Sequence, residues 1–461
     1  MRRLSVVDEI FLRTHQGLGT PIALQGLWRA TGVVAPAELG PLHEALRAGP
    51  LGRRVIRARI PGARARWQRS DRAHPLDYDP APLAPAEILV WADTRGRELD
   101  PELGPGWRLS AAPLDDGSTI VALTCSHVLA DARGLLIAAE LAVRQVGPGA
   151  ADSSCPGGAN TPDSDWVDAA RIWTGVVRDG ARAAVERIRW RGRDQGNERS
   201  GCGGRPAPRR AAATAGGDSA PAPLPPPAAL SRRDVQITSG PPAPDSELPE
   251  PAMVLRCPAA EWERIAAGYG GTANSLFIWF VANMLWAAGF PGSVIAASLP
   301  VDTRSDSRID NDLAVTEIAV TRSDGPAEIR AKARVAYERR MTGPAGVPEE
   351  FLYLVPDRVA HFLSRGAGER DILCSNIGVI PPALYTLGSH ECVGIATRAV
   401  HPGLTYARRP RTRLSGYLCR FRDDYLLTLA SLDPERVPDT AELHRLATET
   451  ATRVGLPVGP W

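Results

Sequence analysis

Lysine is almost missing from this chain. Lys332 is the only lysine, and arginine supplies the rest of the 54 basic residues. Acidic residues number 52, so the formal net charge is only +2. A nearly neutral chain produces no overall field that would attract nucleic acid. We therefore expect no nucleic acid among the partners, while the charge excludes no class of enzyme.

Several motifs that mark well-known sites are absent as well. The chain contains no GxxxxGK phosphate loop, no GxSxG nucleophile turn and no HExxH zinc motif. Its 7 cysteines are odd in number and show no CxxC spacing, which indicates neither a disulfide framework nor a metal site. A reducing cytoplasm is the simplest compartment for such a chain.

Long hydrophobic runs are also lacking. The longest apolar segment, Leu276–Phe290, contains Asn283 and is too short for a membrane span, so it fits a buried helix better. Two arginines precede Leu4, but the apolar core of a secretory signal does not follow them. We expect a cytoplasmic protein and leave peripheral membrane contact open as an alternative.

Composition divides the 461 residues into three parts. Hydrophobic residues make up 44%, as in a globular protein, and the length suits two lobes. Between residues 191 and 251 the chain is rich in Gly, Pro, Ala, Ser and Arg, and such a stretch buries too little apolar surface to order itself. We predict an N-terminal lobe at 1–190, a flexible linker at 191–251 and a C-terminal lobe at 252–461.

Hydrophobic periodicity predicts strands and helices in both halves, so the fold class is α+β, with two-layer mixed sheets and helices. A long helix is predicted over Trp166–Arg189, and a hairpin turn at Arg422–Asp424. The strands are predicted at Pro21–Arg29, Arg53–Ile60, Ser118–Thr124, Met253–Cys257, Ser293–Pro300, Ala314–Thr321, Ile372–Asn376, Glu391–Arg398, Thr412–Phe421 and Tyr425–Leu432.

The segment Cys125–Gly134 carries the strongest indication of chemistry. An apolar run leads directly into His127, Asp131 follows four residues later, and a second apolar stretch begins at Leu135. This pattern predicts a buried strand that holds an imidazole at its end, where a general base would be rigidly placed. The alternative is a chance spacing, since the chain has 8 histidines. Cys125 is interpreted as plain core, because strand alternation points it away from its neighbour.

Further motifs surround this segment in a fixed order along the chain. They are Leu4-Ser5-x-x-Asp8-x-x-Phe11-Leu12, Pro105-Gly106-Trp107, Thr272-Ala273-Asn274-Ser275, Ser375-Asn376-Ile377-Gly378 and Val437-Pro438-Asp439. Together with the histidine segment, this series resembles the wax ester synthase/diacylglycerol acyltransferase family. That family belongs to the superfamily of condensation domains and CoA-dependent acyltransferases, whose motif is His-His-x-x-x-Asp-Gly. The resemblance spans nearly the whole chain.

The resemblance implies two chloramphenicol-acetyltransferase-like lobes in a V, with a tunnel between them and the histidine at its centre. It implies an O-acyltransferase in which His127 is the general base and an acyl thioester, acyl-CoA or acyl-carrier protein, is the donor to an alcohol acceptor. No metal and no redox cofactor are implied. Asp131 is implied to pair with an arginine of the second lobe and to hold the motif loop.

Two departures from the family motif leave other functions open. Ser126 stands in place of the first histidine, and Ala132 in place of the closing glycine, which is tolerable if its φ is negative. One alternative is a stand-alone condensation or polyketide-associated acyltransferase with a carrier-protein donor or an amine acceptor. Another is a catalytically inactive homologue that binds an acyl ligand or a partner.

The remaining motif residues have structural and functional interpretations side by side. Asn274 either caps the helix that follows it or contacts an oxyanion. Ser126, Ser375, Asn376 and Gly378 are candidates for the substrate channel, and the segment from Ser375 to Gly378 is expected to form a turn. Trp107 is expected to pack in a core. A cluster of arginines either meets phosphates of CoA or a carrier arm, or forms a solvated basic face: Arg53, Arg54, Arg57, Arg59, Arg64, Arg66, Arg69 and Arg72.

Overall fold

The structure is a computed structural model, and it describes residues 2–17, 21–147, 164–178, 243–338 and 369–461. Most of the predicted linker, up to residue 242, therefore lies outside the described residues. The helix predicted over Trp166–Arg189 is observed from 165 to 178, and its remainder also lies outside them. Among the residues described, no helix is both long enough and apolar enough to cross a lipid bilayer.

The first half alternates helices and short strands. In chain order its elements are α1 (Val6–Gly17), β1 (Ala23–Ala30), α2 (Pro36–Ala48), β2 (Arg53–Ile56), β3 (Arg66–Arg69), β4 (Asp77–Tyr78), α3 (Ile88–Asp93), β5 (Trp107–Pro113), β6 (Thr119–Ser126), α4 (Ala132–Val146) and α5 (165–178). Strand β6 is buried along its whole length, as its unbroken apolar run predicts.

The second half contains most of the long strands. Its elements are β7 (Ala252–Pro258), α6 (Ala259–Gly268), α7 (Ala273–Ala287), β8 (Val294–Asp302), β9 (Leu313–Thr321), α8 (Pro326–Glu338), β10 (Ile372–Val379), β11 (Thr386–Leu387), β12 (His390–Val400), β13 (Leu414–Phe421), β14 (Asp424–Ser431), α9 (Thr440–Arg453) and β15 (Gly459–Pro460). Helix α7 is apolar on all sides and is buried, which explains why it carries the longest hydrophobic run without spanning a membrane.

Two mixed sheets with helices form the body of the protein. One has the order β11-β12-β1-β6-β5-β4, and the other has the order β15-β7-β14-β13-β10-β8-β9. A separate ribbon pairs β2 with β3. The predicted fold class is confirmed, and every predicted strand is present, although the strand expected over Arg53–Ile60 ends at Ile56.

A strand of the second half belongs to the first sheet, so the two halves of the chain share this sheet. Strand β12 pairs antiparallel with β1, in a register that places Ala23 opposite Val400. This pairing covers an edge of β1 that would otherwise have open backbone groups. Near the end of the predicted linker, Leu248 is buried and its amide donates to Leu404 O at 2.7 Å.

Strand β1 begins, and strands β6 and β12 end, on the same side of the first sheet. Ala23 is paired with Val400 on one side and with Ser126 on the other. The residue that follows β6 is His127, whose backbone N–H donates to Ile22 O at 2.9 Å. The residue after β12 is His401, so two histidines flank the start of β1 at this edge.

One hydrophobic core joins the two halves beneath this edge. It combines Trp107, Leu123 and Val128 of the first half with Ile309 and Tyr417 of the second. Trp107 is 1% exposed and packs in this core, as expected. The loops that surround His127 are therefore anchored on buried side chains from both halves of the chain.

Candidate active site

His127 is held at the end of β6 by contacts on two sides. Its backbone is anchored to Ile22, and its ring stacks on Phe11 of α1, with 3.7 Å between ring centroids and 14° between planes. A strand end followed by a tight turn leaves the side chain free to point beyond the sheet, while the stacked phenyl ring limits its rotation. The imidazole is thus rigidly placed, as the sequence predicts.

Asn311 determines which ring nitrogen of His127 carries the proton. Oδ1 of Asn311 lies 3.1 Å from Nδ1 of His127. The other end of the amide, Nδ2, donates to Oδ1 of Asp8 at 2.9 Å and to the carbonyl oxygens of His127 and Val128 at 2.9 and 3.2 Å. Because Nδ2 faces three acceptors, the amide oxygen must face the ring, and Nδ1 must be its donor.

The second ring nitrogen is then the basic one. Among the residues that the structure describes, Nε2 of His127 has no hydrogen-bond partner. Burial lowers the pKa of His127, while a hydrogen bond to its own carbonyl, the charge of Asp131 and the bond with Asn311 act in the opposite direction. The net direction is downward, so the imidazole is neutral near pH 7. A neutral imidazole with an unoccupied Nε2 is the form that a general base requires.

Asp131 is part of the scaffold that holds this arrangement. It is the N-cap of α4, where its carboxylate accepts from Gly134 N at 2.8 Å. Its other oxygen accepts from Arg304 Nη2 at 2.6 Å and from Asp312 N at 3.2 Å. The expected arginine of the second lobe is therefore Arg304. The Asp131 and Arg304 side chains are 6% and 3% exposed, so this ion pair is buried between the two halves.

Arg53 fixes the same turn from another direction. Its guanidinium donates to the carbonyl oxygen of Leu129 and forms an ion pair with Asp310. It also stacks 3.8 Å above the ring of Trp67. Arg53 thus ties the histidine turn to the loop that carries Asn311.

Most of the arginine cluster is occupied by partners within the protein. Ion pairs or hydrogen bonds join Arg54 to Gln68, Arg57 to Glu102, Arg64 to Asp168, Arg66 to Asp165, Arg69 to Ala48 and Arg72 to Leu103. Several members of the cluster, Arg57, Arg59, Arg69 and Arg72, are also exposed. Its guanidinium groups mainly stabilise the fold of the first half.

The two departures from the family motif are accommodated. Ala132 is the first residue of α4, and its φ is not positive, so its methyl group causes no backbone strain. Ser126 is 2% exposed, its amide donates to Gly106 O, and its hydroxyl accepts from Val128 N at 3.4 Å. This candidate channel residue is therefore the buried last residue of β6, directly before the histidine.

Gly134 is the glycine that this site needs. A Cβ added to it would lie 2.2 Å from the carbonyl oxygen of Ile309, in the loop that carries Asn311. That distance is far inside van der Waals contact, so any side chain would push the loop away from α4. The sequence analysis assigned no role to this glycine.

The substitution Gly134→Ala tests this close approach. We expect it to lower the free energy of unfolding by about 1–3 kcal/mol, because the contacting atoms are backbone and must move. Urea denaturation measures the change. Gly40→Ala is the matched control: Gly40 lies in α2 with no atom near its missing Cβ, so the control should be neutral or stabilising. Equal stabilities for Gly134→Ala and the wild type would contradict the close packing.

Asn274 does not cap α7. The cap is Thr272, whose side chain accepts from Ser275 N, and Ser275 completes a capping box by accepting from Thr272 N at 2.7 Å. The capping interpretation of Asn274 is therefore wrong. Its Nδ2 donates to the hydroxyl of Tyr337 at 2.9 Å, and its Oδ1 accepts from Nδ2 of Asn376 at 3.0 Å.

The segment from Ser375 to Gly378 is not a turn but part of β10. The strand continues to Val379, with a bulge between Asn376 and Gly378. Gly378 has a φ of +84°, which explains the glycine, and its amide donates to Oδ1 of Asn376 at 3.0 Å. Alternation places Ser375 and Asn376 on opposite faces of the sheet, so these channel candidates do not form one wall.

A cleft of about 640 Å³ opens beside Asn274, between the start of α7 and helix α8. Asn274 and Tyr337 contribute polar groups to its lining, and Arg330 and Arg334 lie along α8. The structure thus brings Asn274 and Asn376 together. Within the described part of the chain, no hydrogen bond or ring contact joins this pair to His127.

A second histidine at the sheet edge was missed by the sequence analysis. Nδ1 of His401 lies 3.1 Å from Oε1 of Glu250. Burial acts to lower the pKa of His401, but the charge and hydrogen bond of Glu250 raise it above its usual value. The charge of His401 in turn acts to lower the pKa of His127, so the two rings are electrostatically coupled.

Comparison with known proteins shows the fold. No family model matches the chain, and no curated protein is significantly similar. The first condensation domain of the CDA synthetase has a TM-score of 0.57, is 15% identical, and the alignment covers 100% of this chain and 98% of that one. For polyketide synthase associated protein 5 from Mycobacterium tuberculosis the TM-score is 0.52, with 11% identity over 98% of this chain and 97% of that one.

A wax ester synthase/diacylglycerol acyltransferase from Marinobacter aquaeolei VT8 is 13% identical and has a TM-score of 0.49, over 98% of this chain and 100% of that one. This similarity is too low to favour the wax ester branch. The chain has the fold of a condensation domain over its whole length, which agrees with the predicted architecture. The tunnel between the lobes stays a prediction.

Proposed function

We propose that this chain is an acyltransferase in which His127 is the general base. The observation that carries the proposal is the protonation pattern of His127: Asn311 holds the proton on Nδ1, and Nε2 is left with a lone pair beyond the strand end. The condensation-domain fold supports the same chemistry. The rigid placement by Phe11 and Asp131 is what a residue that moves one proton during a reaction needs.

The proposed reaction is direct transfer from a thioester. Nε2 of His127 takes the proton of the acceptor hydroxyl while the oxygen of that hydroxyl attacks the thioester carbonyl. The carbon–sulfur bond breaks, and the imidazolium returns the proton to the leaving thiolate. The products are an ester and a free thiol, no acyl-enzyme forms, and the imidazole ends in its starting state.

Acyl-CoA is the proposed donor and an alcohol the proposed acceptor. The alternative is a donor bound to a carrier protein. The internal pairing of the arginine cluster does not distinguish the two donors, because the same groups were expected to meet the phosphates of either one. An amine acceptor belongs to the same alternative. A non-catalytic binding role is the weaker candidate, since Ser126 and Ala132 are both accommodated around an intact His127.

The cytoplasm is the proposed compartment, and peripheral membrane contact remains part of the proposal.

Burial raises the pKa of the Cys125 thiol to about 12, so this cysteine is an inert core residue and not a competing nucleophile.

The test is turnover of purified protein with panels of acyl-CoA and acyl-carrier thioesters, against alcohol and amine acceptors. Release of free thiol is followed with a chromogenic disulfide, and the acylated product is identified by mass spectrometry. Thiol release that requires an acceptor supports transfer, and the product identifies an ester or an amide. Ligand binding without turnover for any pair would favour the non-catalytic role and overturn the proposal.

A further inference from the structure

We propose that Asp8 is a positioning residue that controls His127 through Asn311. Its carboxylate stabilises the amide of Asn311 in the orientation that leaves Nε2 free, and protonation of Asp8 weakens that orientation and lowers activity at acid pH. This inference rests on the proposed function, in which His127 is the base. It adds a built-in pH switch to that function.

Asp8 lies in α1 and has no exposed surface. One carboxylate oxygen accepts from the backbone amide of Asn311 at 3.0 Å and from its side-chain Nδ2 at 2.9 Å. The other accepts from Ser5 N at 2.9 Å. All three partners are N–H donors, so the site is built for a charged acceptor.

The orientation of the Asn311 amide depends on this charge. In the observed orientation Nδ2 donates to Asp8 and to two carbonyl oxygens, and Oδ1 faces the ring of His127. In the flipped orientation Nδ2 would face Nδ1 and would favour the tautomer with its proton on Nε2. That tautomer cannot accept a proton from a substrate. A carboxylate is the strongest of the three acceptors, and so it holds the active orientation.

Protonation of Asp8 weakens this preference, because Nδ2 then keeps only the two carbonyl oxygens as strong acceptors. A neutral carboxyl group carries a hydroxyl that needs an acceptor, and the amide oxygen of a flipped Asn311 would supply one. Both tautomers of His127 then become accessible. The effect reaches the base without any contact between Asp8 and the substrate, so Asp8 acts as a positioning group.

The surroundings of Asp8 bring its titration close to physiological pH. Burial, followed by the nearby charge of Asp310, raises its pKa to about 6. Arg53 and the hydrogen bonds from Asn311 and Ser5 oppose the rise. Asp310 is itself paired with Arg53 and with Arg2, which limits its effect. His127 lies on the other side of Asn311 from Asp8, and its own pKa is below its usual value.

Two protonations therefore act on the acid side: that of His127 abolishes activity, and that of Asp8 lowers it to the level of a variant without the carboxylate. In wild type, a plot of log kcat/KM against pH should show two ionisations on its acid limb, since this ratio reports the free enzyme. In Asp8→Asn only His127 titrates, so the acid limb should show one ionisation. The plateau of the variant near pH 8 should be lower by about 10- to 100-fold, as for other groups that orient a functional histidine.

Glu9→Gln is the matched control, because Glu9 is the next residue of α1 and its carboxylate forms an ion pair with Arg13 at 3.5 Å. It should keep the wild-type pH profile and plateau. A single ionisation on the acid limb of wild type, or two in Asp8→Asn, would overturn the proposal.

Nitrogen-15 spectra of labelled histidine give a readout that needs no substrate. At pH 8 wild type should show His127 protonated on Nδ1, and Asp8→Asn should show a mixture of the two tautomers. An unchanged tautomer in Asp8→Asn would refute the positioning role even if the variant were slow. The expected spectra without turnover on any thioester would leave the role of Asp8 intact and refute the acyltransferase function instead.

Thermal unfolding checks that the variant is folded and tests the titration itself. Because the folded-state pKa of Asp8 lies above that of the unfolded chain, it contributes stability below about pH 4 that is lost as the pH rises through about 6. The thermal midpoint of wild type should therefore fall relative to Asp8→Asn between pH 4 and pH 7. A constant difference across this range would contradict the titration of Asp8.

Discussion

Replacing His127 with alanine should lower kcat for acyl transfer by about 10²- to 10⁴-fold, the usual contribution of a positioned general base. The reason is the loss of Nε2, the ring nitrogen that has no hydrogen-bond partner among the residues that the structure describes. The fold should survive, because the turn is held by the Asp131–Arg304 pair and by Arg53, whose contacts do not involve the imidazole. Steady-state release of free thiol, with product identified by mass spectrometry, measures the effect.

His444→Ala is the control for this experiment. His444 is an exposed residue of α9, and its ring contacts only Thr448 among the described residues. It should keep the wild-type rate. If thiol release by His127→Ala equals that of the control, another group must take the proton, and the general-base assignment fails. A variant with an unchanged kcat and a raised KM would instead assign His127 to substrate binding.

The sequence was sufficient to predict the place of His127 and much of the frame around it. The unbroken apolar run of β6 predicts a buried strand, and the spacing to Asp131 predicts a carboxylate at the start of the next helix. Both are observed. These are local patterns, in which a few neighbouring residues decide the structure. The hairpin turn before Asp424 was predicted for the same reason.

Contacts between distant parts of the chain were not predictable in this way. Asn311 is 184 residues from His127, and nothing in its local sequence indicates that its amide would meet a ring from the other half. Asp8 and Phe11 lay in a motif whose spacing of three places them on one face of a helix, but the spacing does not say what that face contacts. The close approach of the Gly134 backbone to Ile309 was not predictable either, because a glycine in the sequence does not show which other segment lies against it.

Two local interpretations failed because several residue types suit the same position. Thr272, Asn274 and Ser275 all favour helix N-caps, and only the geometry shows that Thr272 is the cap. The bulge at Asn376 resembles a turn in sequence because a polar residue and a glycine with positive φ serve both structures. Nothing in the sequence indicates that β12 pairs with β1 in the first sheet, because the alternation of apolar and polar residues in a strand does not identify its partner strand.

The candidate site is a product of the junction between the two halves. His127 comes from the first sheet, Phe11 and Asp8 come from α1, and Asn311 comes from the loop after β8. A simple division into lobes would place His127, Phe11 and Asp8 in one lobe and Asn311 in the other. The residues that join the halves are therefore expected to affect folding and activity together, and the buried pair of Asp131 and Arg304 is the clearest case.

Asp131→Asn should lower the free energy of unfolding by about 3–5 kcal/mol, the range for breaking a buried ion pair by removing one partner. The neutral amide keeps a cap for Gly134 but leaves the charge of Arg304, 3% exposed, with Asp302 as its only remaining ion-pair partner among the described residues. Soluble yield and acyl transfer should fall together, because the loop that carries Asn311 loses its anchor. Urea denaturation and thiol release measure the two effects.

A double-mutant cycle with Arg304→Met separates the pair from its surroundings. Once the arginine is gone, Asp131→Asn should cost much less than in wild type, since no buried cation is left unpaired. Glu140→Gln, which breaks an exposed pair with Arg144 on α4, should change stability by no more than about 0.5 kcal/mol. An Asp131→Asn variant with wild-type stability and a pure loss of rate would move Asp131 from the scaffold into the chemistry. Our expectation is the opposite, because both of its oxygens already accept hydrogen bonds from the protein.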